Sequence, residues 1–229
     1  MEHWLGDCDR LGRALEFNFL PASYMDVSWW REEWMPQALF SELRQSPASL
    51  MPLSDFIVER LDLPPVLDVD YSAPGPQLAL LAKEAFSRLV FSAGVVRMSP
   101  WIASILTAVD IGEIKRRIGS DLYEFALRSG RFLLRQARLL GPDPPAPDCE
   151  PGSLDEHCRM AGIQGLAAAL QPQPAPLVRR VKLKLPKPLV DSHWPCAAES
   201  SAEWLRMFSL IERQLLAVPV SLPAGALDP

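Results

Sequence analysis

Two pairs of histidine and cysteine are the residues of this sequence best suited to bind a metal ion. His157 and Cys158 are adjacent, and His193 lies three positions before Cys196. Imidazole and thiolate groups together form tetrahedral zinc sites. However, adjacent side chains on one helix point in different directions, and structural zinc ligands are usually separated by two or more residues. We therefore expect no metal at these positions, with a small zinc-dependent enzyme as an alternative.

The sequence contains none of the common motifs of nucleotide-binding or hydrolytic enzymes. It lacks the patterns GxxxxGK, GxGxxG, HExxH and GxSxG. With only three histidines, it also offers few candidates for imidazole-based catalysis. The adjacent carboxylates Asp155 and Glu156 fall in the first turn of a predicted helix, where negative charge is stabilising. We expect a protein that is not an enzyme and that uses no cofactor.

Four arginines share one face of the helix predicted for residues 120–140. They are Arg128, Arg131, Arg135 and Arg138. Their spacing of three, four and three residues places them opposite the apolar face of that helix. A solvated face usually mixes both charge signs, yet no acidic residue lies between Glu124 and Gly141. Because arginine binds carboxylates through two parallel hydrogen bonds, the pattern indicates docking to an acidic partner surface. A purely solvated face is the alternative.

A second basic segment has a different period. In residues 177–186, the apolar Val181, Leu183 and Leu185 alternate with the basic Arg180, Lys182 and Lys184. This period of two predicts a strand over residues 180–185 with one apolar and one basic face. A lone strand is unstable, so residues 16–19, residues 66–71 or another protein would have to pair with it. The basic face would either protect an exposed sheet edge or contact an anionic lipid or partner.

Three tryptophans are concentrated in residues 28–34. Trp30 and Trp34 are four residues apart and are expected to face one side, whereas Trp29 points elsewhere. Core packing is the more common role of such a cluster. Tryptophan is also enriched at the energetic centres of protein interfaces, so all three are candidate partner-binding residues.

Composition excludes several classes of protein. The chain has 229 residues, 48% of them hydrophobic, and a formal net charge of −5. This hydrophobic fraction is typical of a folded protein, and the mild acidity argues against a general nucleic-acid binder. Acidic residues near the N-terminus speak against a secretory signal, and charges interrupt the most apolar run, residues 78–96. Four scattered cysteines are expected to be reduced, as in the cytoplasm.

The element pattern predicts a mainly α fold, with one compact domain over residues 1–229 and a minor β element near residues 180–185. The predicted helices cover residues 77–96, 100–109, 111–118, 120–140, 153–170 and 200–218. Asp110 is the predicted N-cap of the third helix, and Gly141 the predicted C-terminal cap of the fourth. Residues 141–152 predict a proline-rich loop, and residues 219–229 a tail that frays.

Three segments resemble a known family when taken in order. They are EFNFLPASYMDVSWW (16–30), LALLAKEAFSRLVFSAGVVRMS (78–99) and GLAAALQPQPAPLVRRVKLKLP (165–186). Together they resemble the SctK family, also called YscK or PscK, and the PscK branch most of all. These proteins are cytoplasmic accessory proteins of bacterial type III secretion systems. None of the three segments is a catalytic signature.

The resemblance implies a scaffold in the sorting platform beneath the injectisome, at the cytoplasmic face of the inner membrane. Its implied partners are the ring protein SctD and the pod protein SctQ, with SctL reached indirectly and neither nucleic acid nor a membrane span involved. No binding residue of the family can be transferred, so the candidate surfaces rest on this sequence alone. A type III secretion chaperone that holds an export substrate is the alternative function.

Overall fold

A computed structural model of the chain describes residues 2–139, 153–194 and 200–216, and all regular elements in these ranges are helical. The helices are α1 (Glu2–Phe19), α2 (Pro21–Tyr24), α3 (Gln37–Gln45), α4 (Pro47–Arg60), α5 (Pro74–Ala79), α6 (Lys83–Arg97), α7 (Ser99–Ile102), α8 (Ala108–Ile118), α9 (Ser120–Phe125), α10 (Arg131–Ala137), α11 (Leu154–Leu170), α12 (Ala175–Lys182), α13 (Lys187–His193) and α14 (Ser201–Leu216). A 3₁₀ turn covers Val27–Trp29, and a π turn, Ala126–Gly130, joins α9 to α10. The prediction of a mainly α fold is confirmed.

The predicted strand over residues 180–185 is wrong. Residues 175–182 form α12, and a turn follows it. The helix begins just after Pro174 and carries Pro176 in its first turn, where proline is tolerated. Leu177 and Val181, four residues apart, are both buried, as one side of a helix requires. The suggested pairing segments are not strands either, because residues 16–19 belong to α1 and residues 66–71 are irregular.

Two other predicted helices are shorter than expected. Residues 77–96 are divided between α5 and α6 by a break at residues 80–82, and the helix expected over 100–109 ends at Ile102. The N-cap of α8 is Thr107 rather than Asp110. The Thr107 hydroxyl accepts a hydrogen bond from the Asp110 backbone N–H at 3.1 Å, a common capping arrangement.

The helix predicted over residues 120–140 ends early. Its last regular residue is Ala137, and Arg138 closes it in a left-handed conformation with φ 63°. Gly141, the predicted cap, lies outside the described residues, as do the loop 141–152 and the tail 219–229. Helix α11 confirms the prediction for residues 153–170, and α14 confirms that for 200–218 as far as the chain is described.

The chain divides into two compact units. Unit 1 comprises residues 1–86 and 173–190, and unit 2 comprises residues 87–172 and 191–229. The chain therefore passes from one unit to the other three times, and neither unit is a continuous stretch of sequence. This interleaving is compatible with a single domain over residues 1–229, which stays a prediction.

Unit 1 is built on α4, which packs against α1, α2 and α3, while α12 packs against α5. The irregular residues 61–73 lack the backbone hydrogen bonds of a helix or a sheet, so buried side chains form hydrogen bonds with their backbone groups instead. Asn18 is 1% exposed; its side-chain oxygen accepts the N–H of Val66 at 2.6 Å, and its amide donates to the Tyr71 hydroxyl at 3.1 Å. These hydrogen bonds hold the irregular segment against the end of α1.

In unit 2, α11 packs against α8 and α14, and α10 also packs against α14. Two glycines let α6 and α11 touch through their backbones. A Cβ atom on Gly94 would lie 1.8 Å from the carbonyl oxygen of Cys158, and one on Gly162 would lie 2.2 Å from that of Val90. Any side chain at these two positions would force the helices apart.

Candidate protein-interaction surface

The four arginines of the predicted binding face are all exposed in unit 2. Arg128 pairs with Glu124 at 3.0 Å, one helical turn away. Within the described residues, Arg131, Arg135 and Arg138 make no side-chain hydrogen bond or ion pair. The structure thus bears out their exposure, and their role in partner binding stays a prediction.

Two large apolar side chains lie among these arginines and were missed by the sequence reasoning. Leu127 is 44% exposed and Phe132 is 56% exposed. Each is adjacent in sequence to an arginine, and neither belongs to the apolar positions that the helical period assigns to the core. That mismatch was the signal that could have identified them. We call the exposed set Leu127, Arg128, Arg131, Phe132 and Arg135 the arginine face.

The opposite side of this helix is anchored firmly in unit 2. Leu133, Leu134 and Ala137 are at most 1% exposed. A Cβ atom on Gly130 would lie 2.3 Å from the Cβ of Ser99, so the π turn packs directly on α7. The arginine face is therefore displayed by a fixed helix rather than by a loop.

Arg180 of the second basic segment is 0% exposed, contrary to its predicted place on an outward basic face. Its guanidinium donates to the carbonyl oxygens of Leu63 at 2.7 Å, Phe17 at 3.3 Å and Pro64 at 3.3 Å. Burial raises the pKa of the neighbouring Tyr24 to about 12, so its hydroxyl remains a donor to Phe17, 2.8 Å away. Arg180 thus joins α12 to the end of α1 and to the irregular segment.

Lys184 is 3% exposed and is likewise part of the interior of unit 1. Its ammonium nitrogen lies 2.6 Å from the carbonyl oxygen of Ala79, the last residue of α5, and 2.5 Å from that of Leu81, in the break before α6. The rings of Phe17, Tyr24 and Phe86 surround it at 5.2–5.6 Å. Burial lowers the pKa of Lys184 to about 7, against the opposing attraction of nearby glutamates.

Because Arg180 and Lys184 are buried, the continuous basic face that the sequence predicted does not exist. Lys182 is half-buried, whereas Arg179 and Lys187 are exposed. Arg179 donates to the carbonyl oxygen of Asp62 at 3.0 Å. Arg180 points inward from α12, and Lys184 points inward from the turn that follows this helix.

The three tryptophans help to pack unit 1. Trp30 is 8% exposed and stacks on Phe40 with ring centroids 4.0 Å apart. The ring of Trp34 lies perpendicular to that of Trp30, with centroids 5.2 Å apart. Trp29 is half-buried, and its indole N–H donates to the carbonyl oxygen of Leu185 at 2.8 Å. Trp30 and Trp34 do share one side while Trp29 points elsewhere, as predicted.

A pocket of about 330 Å³ opens in unit 1 beside Lys184. Tyr24 and Phe17 contribute apolar walls, while Arg13, Glu16 and Glu84 contribute charged groups of both signs. This balance of charge does not favour an anionic or a cationic ligand.

The candidate zinc ligands are only partly described. Cys158 is fully buried, and Nδ1 of His157 lies 2.9 Å from the carbonyl oxygen of Ser153. Cys196 lies outside the described residues. Among the side chains that are described, no three histidine, cysteine or acidic residues come close enough together to hold a metal ion.

No helix within the described ranges combines the length and the apolar character that a membrane span requires. Comparison with protein families gives a match to the family described as YOP proteins translocation protein K (YscK), over residues 13–211. No curated protein matches the chain, and no solved structure does.

Proposed function

The chain belongs to the YscK family of type III secretion proteins, and we propose that it is a non-enzymatic adaptor of the sorting platform of a bacterial injectisome. In this role it links the cytoplasmic domain of an SctD-like ring protein to an SctQ-like pod protein, at the cytoplasmic face of the inner membrane. Family membership over most of the chain is the observation that carries the proposal.

The surface chemistry supports a binding role. Arg131 and Arg135 are exposed and have no partner among the described residues, and Phe132 lies beside them. Arginine and large aromatic residues are the types that contribute most to interfaces. Arg180, Lys184 and Trp30 are buried, so we do not propose them as contacts. Trp29, Trp34 and Lys182 are partly exposed and remain secondary candidates.

A bridging assay tests the adaptor role directly. The pod protein is immobilised, and the cytoplasmic domain of the ring protein is added with and without the full-length chain. We expect the ring domain to be retained only when the chain is present, because an adaptor must hold both partners at once. A strain lacking the chain should also stop secretion, and the wild-type gene should restore it.

Three outcomes would contradict the adaptor proposal. The first is that the chain binds neither the ring domain nor the pod protein. The second is that it binds only an export substrate, as a secretion chaperone would. The third is that the pod protein retains the ring domain without the chain, which would remove the need for a bridge.

A further inference from the structure

We propose that the arginine face binds an acidic amphipathic helix of a partner protein. Leu127 and Phe132 would contact the apolar side of that helix, and Arg131 and Arg135 would pair with its flanking carboxylates. This inference deepens the proposed function, and rests on it only in taking the ring and pod proteins as the first partners to test.

The charge of the face specifies an acidic partner. Glu124 is the one acid in contact with these arginines within the described residues, and it pairs with Arg128 alone. Arg131 and Arg135 therefore keep their full hydrogen-bonding capacity, which a carboxylate satisfies with two parallel bonds. In a chain with a net charge of −5, this local excess of positive charge stands out from its surroundings.

The apolar residues and the shape of the face specify a helix. An interface normally has an apolar centre with a polar rim, and here two exposed apolar side chains lie among arginines. Residues 127–135 extend over roughly 12 Å at about 1.5 Å per residue, which suits about two turns of a second helix. Because the supporting helix is packed against α7 and α14, it loses little freedom on binding.

A protein fits this face better than a membrane or a nucleic acid does. Asp121 and Glu124 are exposed on α9, immediately before the face, and would repel a dense array of phosphates. Two apolar side chains are also too few to anchor the chain in a bilayer, which requires a broad apolar face. A partner helix, in contrast, can place its acidic residues opposite Arg131 and Arg135 alone.

The first experiment measures the dissociation constants of the full-length chain for the ring domain and for the pod protein. The variants are R131E/R135E, which reverses charge, and L127S/F132S, which removes the apolar contacts. The control is R60E/R213E, which makes the same charge change at two other exposed arginines. We expect each test variant to weaken binding to one of the two partners by about tenfold or more, with the control unchanged.

Salt and vesicle measurements complete this experiment. Wild-type affinity for the sensitive partner should fall as salt rises, and that of R131E/R135E should change little, since its favourable ion pairs are gone. Affinity of both test variants within twofold of wild type, for both partners, would overturn the inference. Binding of wild type to vesicles of anionic phospholipid that R131E/R135E loses would overturn it in favour of a membrane.

A second experiment separates this inference from the adaptor proposal. A photo-cross-linking amino acid replaces Phe132 in the secreting bacterium, and the cross-linked partner segment is identified by mass spectrometry. We expect the cross-linked segment to be acidic and amphipathic, and we expect the R131E/R135E substitutions to abolish the cross-link. Changing the acidic residues of this segment to lysine should restore the binding of R131E/R135E. If the ring and pod proteins fail to bind yet this result holds, the adaptor proposal alone is wrong. A basic or non-helical segment would overturn the inference.

Discussion

Two pairs of cations, one pair in each unit, occupy opposite environments. In unit 1, Arg180 and Lys184 are buried, and their donors are taken up by backbone carbonyl oxygens. In unit 2, Arg131 and Arg135 are exposed and have no partner among the described residues. Arg180 and Lys184 therefore affect the stability of the fold, whereas Arg131 and Arg135 are available to bind a partner.

The source of the difference is where unsatisfied acceptors lie. A buried charge is costly unless hydrogen bonds compensate it. The irregular residues 61–73 and the end of α5 contain carbonyl oxygens that accept no hydrogen bond from a helix or a sheet. A basic side chain that reaches them reduces both the cost of burying unpaired carbonyl groups and the cost of burying its own charge. Just after α10, the carbonyl oxygen of Leu139 accepts a hydrogen bond from Arg97 at 2.8 Å, whereas Arg131 and Arg135 remain in solvent.

Replacing Arg180 should have the largest effect. Arg180→Ala removes the guanidinium donor from the carbonyl oxygens of Leu63 and Pro64, leaves that of Phe17 with the Tyr24 hydroxyl alone, and opens a cavity. We expect the free energy of unfolding to fall by about 3 kcal/mol or more. Urea unfolding followed by circular dichroism measures this loss.

The neighbouring Arg179→Ala is the matched control for that measurement. Arg179 is exposed, so its loss should cost less than about 1 kcal/mol. Equal effects of the two substitutions would show that burial does not distinguish the two arginines, and the comparison between the units would fail.

Lys184 should make the free energy of unfolding depend on pH, which the exposed arginines should not do. Its pKa is about 7 in the folded chain, against an ordinary value near 10.5 when unfolded. Between these values only the unfolded chain binds the proton, so the free energy of unfolding rises with pH, by at most about 1.4 kcal/mol per pH unit. Below pH 7 both states are protonated and this contribution is constant.

Urea unfolding at pH 7, 8 and 9 tests this expectation. The free energy of unfolding of Lys184→Met should rise less steeply over this range than that of wild type. The high pKa of Tyr24 acts only above pH 10, and so leaves this window unaffected. Parallel pH curves for the two proteins would mean that Lys184 keeps its proton throughout.

Neutralising the exposed arginines should have the smallest effect on stability. For R131Q/R135Q we expect a change within about 0.5 kcal/mol, because surface substitutions without buried contacts cost little. The midpoint of urea unfolding measures it. A loss of more than 1 kcal/mol would show that these arginines support the fold, which would weaken their assignment to binding.

The helical fold could be predicted from the sequence because apolar periodicity and helix-start signals are local. Residues 153–170 contain both, and α11 follows them closely. The strand prediction for residues 180–185 failed because two patterns overlap there. The alternation of Val181, Leu183 and Leu185 fits a strand, while the spacing of Leu177 and Val181 fits a helix equally well. The choice depended on tertiary packing, which no local pattern reports.

The partners of the buried cations could not be predicted for a related reason. Arg180 reaches carbonyl oxygens more than 110 residues away in sequence. Backbone acceptors have no residue identity, so the sequence leaves no trace of them. Exposure of the arginines at 131 and 135 was predictable, in contrast, because the local helical period places them opposite the apolar Leu133 and Ala137.

The π turn at Ala126–Gly130 has a consequence for the orientation of everything after it. An α-helix advances by about 100° per residue, and a π turn takes up one residue more than an α turn does. The extra residue therefore offsets Arg131, Phe132 and Arg135 by about that angle from the positions that an unbroken α-helix of the same sequence would give them. If this turn were wound as regular α-helix with every residue kept, the three side chains would move more than a quarter of the way around the axis and the face would no longer exist. Deleting Ser129 as well would bring them back, so the residue count of one turn sets the direction of the face.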